Sequence, residues 1–381
     1  MDTKDLPATS RTWFVKALPT GPLIPNEHYE LRTVPLIAPT AGQILVKITF
    51  VPSHPPPLPL PADQKTGSHI AVDPTNINYI SASPALAGER LYIAQRLVGE
   101  SVLAGAAGVV VASCHDGFAV GDRVGGTWGW SEHVLLDVGK MKLPWAEPTR
   151  IPQDVDTEAW LTLGLPAMTA YFALMKLAGA TAENCRTMVV SAAAGATGST
   201  VVQLAKNVLG IERVIALAGS DEKCRFCREV LKADVALNYK DPDFKAQFVA
   251  ATPDYVDIYY DNVGPPILPL AISRIAYKGK VVVCGAIAAY QSATDIAAIP
   301  MSSYMTICYQ QVAVLGFIFT AWVEHIPEAA RMLTEYAMAG KIVPVKHVVD
   351  TTIEEAHMGL NILFAGQNLG RLILRLAEKK D

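Results

Sequence analysis

The chain has 381 residues, 51% of them hydrophobic and 18% charged, which describes a folded protein with room for two domains and excludes extended disorder. Its net charge is −4, and apart from Glu378-Lys379-Lys380 it carries no charge run, so nothing in it addresses nucleic acid or an anionic membrane. Six cysteines scattered at 114, 185, 224, 227, 284 and 308 are no secreted disulfide framework; with no signal-peptide pattern and no apolar run of ~20 residues, the expectation is a cytoplasmic protein.

The first 160 residues read as β-rich. Gln43–Phe50 alternates like a strand, and Ala107–Ala112 is a second β run that leads into a turn at Gly121–Val124. Between them, Val51–Pro61 has a proline density that favours polyproline II and forbids a regular ladder. It reads as an insertion loop, with a ligand for a proline-binding module as the alternative. Trp128 and Trp130 either shape an apolar pocket or pack in a core. From about residue 165 apolar β runs alternate with helical patterns. Met188–Ser191 is followed by Ser199–Leu209, and Arg213–Leu217 by Glu222–Leu231; Tyr255–Tyr260 and Lys280–Cys284 continue the series. This alternation predicts βαβ units in a doubly wound parallel sheet. An amphipathic helix over Pro327–Ala339 and a strand over Gly370–Arg375 close the chain.

The sharpest motif lies between Val190 and Ser199, where a β run enters and a helix leaves the small-residue turn Ser191-Ala-Ala-Ala-Gly-Ala-Thr-Gly-Ser199. A-x-x-G-x-x-G replaces the usual G-x-G-x-x-G, and the physics of a pyrophosphate cradle survives the change. Ala194, Gly195, Ala196 and Thr197 bring backbone close to the ligand at a helix N-terminus, while Gly198 permits tight helix–strand packing. NAD sites place a carboxylate at the tip of the second strand. Here that strand runs into Ala218-Gly219-Ser220, which leaves room for a further phosphate, and Lys223 stands one turn into the next helix. Lys223 reads as a 2′-phosphate ligand or as a solvated helix residue; the former favours NADP(H). Cys224 and Cys227 share a helix face, but no second pair completes a zinc site, so half-buried helix cysteines are expected.

In these features the sequence resembles the medium-chain dehydrogenase/reductase superfamily, and within it the zinc-independent double-bond reductases of the prostaglandin and alkenal type. The resemblance is carried by Leu165–Phe172, Ser191–Ser199, Gly219–Lys223, Asn238–Lys240, Asp261–Gly264, Cys284–Ile287 with Tyr290, and Gln367–Arg371. It implies a GroES-like catalytic domain over 1–164 and 338–381 and an NADP-binding Rossmann domain over 165–337. It further implies that Gly219, Ser220, Lys223 and Tyr239 surround the 2′-phosphate end of NADPH. Asn262, Cys284 and Ala286 would line the cofactor, with Phe317 near the nicotinamide (or simply core) and Asn368 reaching back from the C-terminal segment. Tyr290 would sit beside the nicotinamide ribose and the substrate. Relatives of this kind are often homodimers. Cys114 is the only cysteine before Cys185, which leaves no ligand set for the catalytic zinc of other relatives.

Hydride chemistry without a Lewis acid suits a C=C bond conjugated to a carbonyl. The carbonyl oxygen then needs a fixed donor, for which Tyr290 is the leading candidate. The N-terminal half departs from the family pattern: Asp73-Pro-Thr-Asn-Ile77 stands where Asp-Pro-Tyr-Met-Arg is usual. Asn76 either hydrogen-bonds substrate or cofactor or caps the next turn. The expected activity is NADPH-dependent reduction of an α,β-unsaturated ketone or aldehyde, a biosynthetic intermediate being one candidate. Quinone reduction, zinc-free alcohol/ketone oxidoreduction and NADPH binding without catalysis are the alternatives.

Overall fold

The computed structural model describes residues 6–20, 22–48, 68–74, 96–290 and 299–377. The chain divides into two units, one of Met1–Leu161, His347–Gln367 and Leu372–Asp381, the other of Thr162–Lys346 with Asn368–Arg371. Asn76 and its neighbours Thr75 and Ile77, and the proline-rich Val51–Pro61, lie outside the described residues.

The first unit is built on antiparallel pairing. Strands β1 (Thr9–Val15) and β2 (Tyr29–Pro35) form a two-stranded ribbon. A larger sheet takes β3 (Gln43–Lys47), β4 (Ser68–Ala71), β5 (Leu103–Ser113), β6 (Arg123–Gly129), β7 (His133–Asp137) and β8 (Thr149–Arg150), together with β15 (Lys346–Thr351) and β16 (Arg371–Leu376). Its order is β15-β16-β4-β5-β3-β7, with β6 on β5 and β8 on β6, the GroES-like sheet expected for this half. Trp128 and Trp130 belong to the core: both are fully buried, and the Trp128 indole N–H donates to the Ala146 carbonyl at 2.8 Å. A buried indole that finds a backbone acceptor costs little and contributes a large apolar area.

The second unit is a parallel, doubly wound sheet. Strands β9 (Thr187–Val190), β10 (Arg213–Ala218), β11 (Val235–Asn238), β12 (Val256–Asp261), β13 (Ile275–Val283) and β14 (Ala313–Gly316) lie in the order β11-β10-β9-β12-β13-β14, every pair parallel. Helices cover both faces of such a sheet, so its central strands read as continuous apolar runs; all four residues of β9 are buried. Val189, Ile215, Leu217, Phe248, Tyr259 and Val281 share one core cluster, each side chain stabilising the fold by roughly 1.5–3 kcal/mol. The strand order reverses between β9 and β12. Ligands of open α/β sheets bind at that switch, outside the C-terminal strand ends. Among the described residues no helix is long and apolar enough to cross a membrane.

Candidate cofactor and active site

At the C-terminal end of β9 the chain turns at Ser191, passes through Ala192 with φ +47°, and starts a helix over Ala196–Gln203 that continues as a π-helical turn over Leu204–Val208. Gly195 is the N-cap, and no side chain caps this helix. Its first N–H groups therefore keep their capacity for an anion, and the helix dipole favours one there. Gly198 faces the Ala192 carbonyl so closely that any Cβ would overlap the oxygen. The loop is anchored from two sides: Ala193 N–H donates to the Leu217 carbonyl at 3.0 Å, and the Ala194 carbonyl accepts from Gly370 N–H at 2.7 Å. Ala194 is buried, while Gly195, Ala196 and Thr197 are half-exposed.

The helix Asp221–Glu229 beyond β10 is built differently. Ser220 caps it, its hydroxyl accepting from Lys223 N–H at 3.2 Å. Gly219 lies beneath Tyr239, with the hydroxyl 2.6 Å from the place a Cβ would occupy. Lys223 is half-buried, and burial first, then the neighbouring Lys240, hold its ammonium below the usual lysine pKa. Burial also raises the Tyr239 phenol above its ordinary value. Asn238 links the two segments: its amide donates to Asp221 Oδ1 at 2.9 Å, and its Oδ1 accepts from Lys240 N–H at 3.1 Å. The corner thus presents two cations and a phenol; Asp221 is engaged by the Asn238 amide, and Glu222 offsets part of the depression of Lys223.

Cys224 and Cys227 are buried rather than half-buried, because both lie on the face of this helix that packs on the sheet. Burial pushes the Cys227 thiol up to about 12, away from the thiolate that metal binding or disulfide exchange needs.

On the other side of the switch, Asp261 ends β12 as a buried hub. Its Oδ1 accepts from the Ser191 hydroxyl at 3.2 Å, the Tyr259 hydroxyl at 2.9 Å, and Val263 and Gly264 N–H at 3.0 Å each. Its carbonyl accepts from Cys284 N–H at 2.9 Å and Gly285 N–H at 3.1 Å. One residue therefore sets both the Asn262 turn and the start of the 284–290 loop. Asn262 is fixed further by Ser191: its N–H donates to the Ser191 hydroxyl and its side-chain amide to the Ser191 carbonyl, both at 2.8 Å. Cys284 follows β13 directly, and burial raises its thiol to about 11. Its N–H is committed to Asp261, so only other atoms of Cys284 remain to meet a ligand. Tyr290 is half-buried and folds back over the loop, its hydroxyl accepting from Ala286 N–H at 3.4 Å. Phe317, just after β14, is half-buried and donates its N–H to the Val283 carbonyl at 2.9 Å.

The last sequence-derived residue, Asn368, arrives from the far end of the chain. It is buried, and its amide donates to the Gly370 carbonyl at 2.8 Å. Gly370 has φ +65°, pairs as a parallel bridge with Gly195, and has no room for a Cβ against the Val345 carbonyl. Asn368–Arg371 thus belongs to the second unit, inside the 338–381 range that the sequence reading gives to the other domain. Sequence reasoning left Lys240, Ser191 and Asp261 without a role. All three stand in the quoted motifs; a carboxylate closing the apolar run Val256–Asp261 was the readable signal.

Among the described residues, no group of three or more His, Cys, Asp or Glu side chains is arranged to hold a metal ion. Residues 196–335 match the family model described as zinc-binding dehydrogenase. Prostaglandin reductase 1 of Rattus norvegicus is 31% identical over 375 residues, covering 96% of this chain and 99% of that protein. The NADPH-dependent curcumin reductase of Escherichia coli (strain K12) is 27% identical, covering 97% of each. CurA from Vibrio vulnificus, solved in complex with NADPH, superposes with a TM-score of 0.80 at 25% identity, covering 97% of this chain and 100% of that one. With this fold, these strand-tip motifs and that extent of identity, the chain belongs to the medium-chain dehydrogenase/reductase superfamily, in its zinc-independent branch of prostaglandin and alkenal reductases.

Proposed function

We propose that the chain uses NADPH to reduce the C=C bond of an α,β-unsaturated ketone or aldehyde. It is an NADP-dependent oxidoreductase of the ene-reductase type, and its relatives carry NADPH and prostaglandin or curcumin reduction in their names. The observation that carries the cofactor reading is half-buried Lys223 with Lys240 as its charged neighbour, and Tyr239 over Gly219, where β10 ends in Ala218-Gly219-Ser220 without a carboxylate. The uncapped helix at Gly195 fits the pyrophosphate. NADPH, when bound, supplies the hydride. Reduction places negative charge on the substrate's carbonyl oxygen, and Tyr290 is proposed as its donor. The Tyr290 oxygen accepts from Ala286 N–H, which orients the phenol and polarises its O–H for donation. Asn262 and the backbone of the 284–286 turn form the wall on which the reacting end rests, and Asn76 is proposed for the substrate side. A homodimer and a cytoplasmic location belong to the same reading; all six cysteines are free thiols. Sedimentation equilibrium and imaging of tagged protein check those two points.

The test is NADPH oxidation against a panel of enones, enals and quinones. Turnover of enones or enals is expected. Turnover of quinones alone, or NADPH binding without turnover of any of them, would overturn the proposal.

A further inference from the structure

The stretch 341–345 carries no regular secondary structure, and at Lys341 and Val343 side chains of the helix Ala196–Gln203 and its π-helical continuation bond its backbone. Gln203 is buried at 2% exposure; its Oε1 accepts from Val343 N–H at 2.7 Å and its Nε2 donates to the Val343 carbonyl at 3.1 Å. Four residues on, along the same face, the Asn207 amide donates to the Lys341 carbonyl at 2.8 Å. A carboxamide suits this work because it donates and accepts in one plane, as a peptide group does.

Two residues beyond Val343, the Val345 carbonyl accepts from Arg371 N–H at 2.8 Å and fills the space over Gly370. Gly370 in turn donates to the Ala194 carbonyl, and Asn368 donates to Gly370. The hydrogen bonds close a circuit that leaves the helix at Gln203 and returns to its N-cap at Gly195. The return segment reaches the phosphate loop through backbone groups, which carry no sequence identity. The side chain that selects its register is Gln203, about 140 residues from its partner in the chain.

We propose that Gln203 is a positioning residue for the cofactor site. It sets the height of 343–345, hence the register of Asn368–Arg371 against Ala194 and Gly195, hence the place of Asn368 beside the cofactor. The inference rests on the NADPH reading above.

The test is a double-mutant cycle on Gln203→Leu and Asn368→Ala, read as dissociation constants for NADPH and for adenosine 2′-phosphate, a probe without a pyrophosphate. Gln203→Leu should weaken NADPH about tenfold, a loss of ~1.4 kcal/mol. It should leave adenosine 2′-phosphate unchanged, and the double variant should be no weaker than the weaker single one. An unchanged NADPH constant in Gln203→Leu, additive losses, or an equal loss for the probe would overturn the inference. Should leucine at 203 fail to fold, Gln203→Met keeps the unbranched length and helix preference of glutamine, loses both bonds to Val343, and enters the same cycle. Wild-type protein that binds no NADPH would sink the cofactor reading and this inference with it, a result distinct from a wild type that binds and a variant that binds equally well.

Discussion

At the tip of β10, Gly219, Ser220, Lys223, Tyr239 and Lys240 come from two short stretches joined by a single helix and strand, and they form a half-open corner in which the Tyr239 ring lies over Gly219. At the tips of β9, β12 and β13 backbone groups and the side chains of Ser191, Tyr259 and Asn262 bond one another around one buried carboxylate. They draw on segments near residues 191, 261, 284 and 370. The first corner is a charge laid on a finished fold, and the second is part of the fold itself. Substitutions at the first should therefore change what binds, whereas substitutions at the second should change whether the unit holds together.

The sharpest break of that contrast is Gly198→Ala. A methyl group there overlaps the Ala192 carbonyl, and the expected cost is on the order of 3 kcal/mol, seen as a melting temperature lower by roughly 6–12 °C. A variant that melts with the wild type would show that the loop yields and the corner is not rigid. Lys223→Ala is the counterpart on the charged side. Loss of a charge-assisted hydrogen bond worth about 1.5–3 kcal/mol should weaken NADPH roughly 10- to 100-fold, with NADH and the melting temperature nearly unchanged. Equal weakening of both cofactors would remove Lys223 from the 2′-phosphate.

Tyr290→Phe should lower kcat for enone reduction about tenfold while the NADPH dissociation constant stays put, since one donor to a developing oxyanion is lost. An unchanged kcat would take Tyr290 out of the reaction. The smallest effect is a pH shift. Burial and Lys240 depress the Lys223 pKa in the folded protein, so between that lowered value and the unfolded one the unfolded chain binds more protons. The contribution of this group to stability accordingly rises with pH across that window, while NADPH affinity falls as the ammonium loses its proton. Lys240→Ala removes the like charge and should move the alkaline fall of NADPH affinity to higher pH. If that limb of the titration does not move, the two lysines are not coupled.

Much of the second unit was legible because its signals are local. Apolar runs of strand length alternating with helical periods announce a parallel sheet, and the small residues between Val190 and Ser199 announce a tight βα turn. Burial of Cys224 and Cys227 was harder to read. Their spacing is equally compatible with a ligand pair and with the buried stripe of one helix, and only the packing of that helix separates the two. Trp128 and Trp130 posed the same problem, since pocket wall and core share one composition. Asp261 stood in plain view within Asp261–Gly264, yet its role depends on Ser191, which is about 70 residues away.

What the sequence determined by itself is the order of strands and helices, the tight small-residue turn at their start, and the missing carboxylate after β10. Each depends on neighbours within one turn or one strand, where residue type and spacing decide the outcome. Tertiary structure alone decided that Lys240 stands beside Lys223, that Asp261 joins the loops of Asn262 and Tyr290, and that Asn368–Arg371 returns to the second unit. Those contacts are hydrogen bonds and charges between segments far apart in the chain. Their strength depends on distance and burial, and neither exists until the sheet has brought the strand ends together.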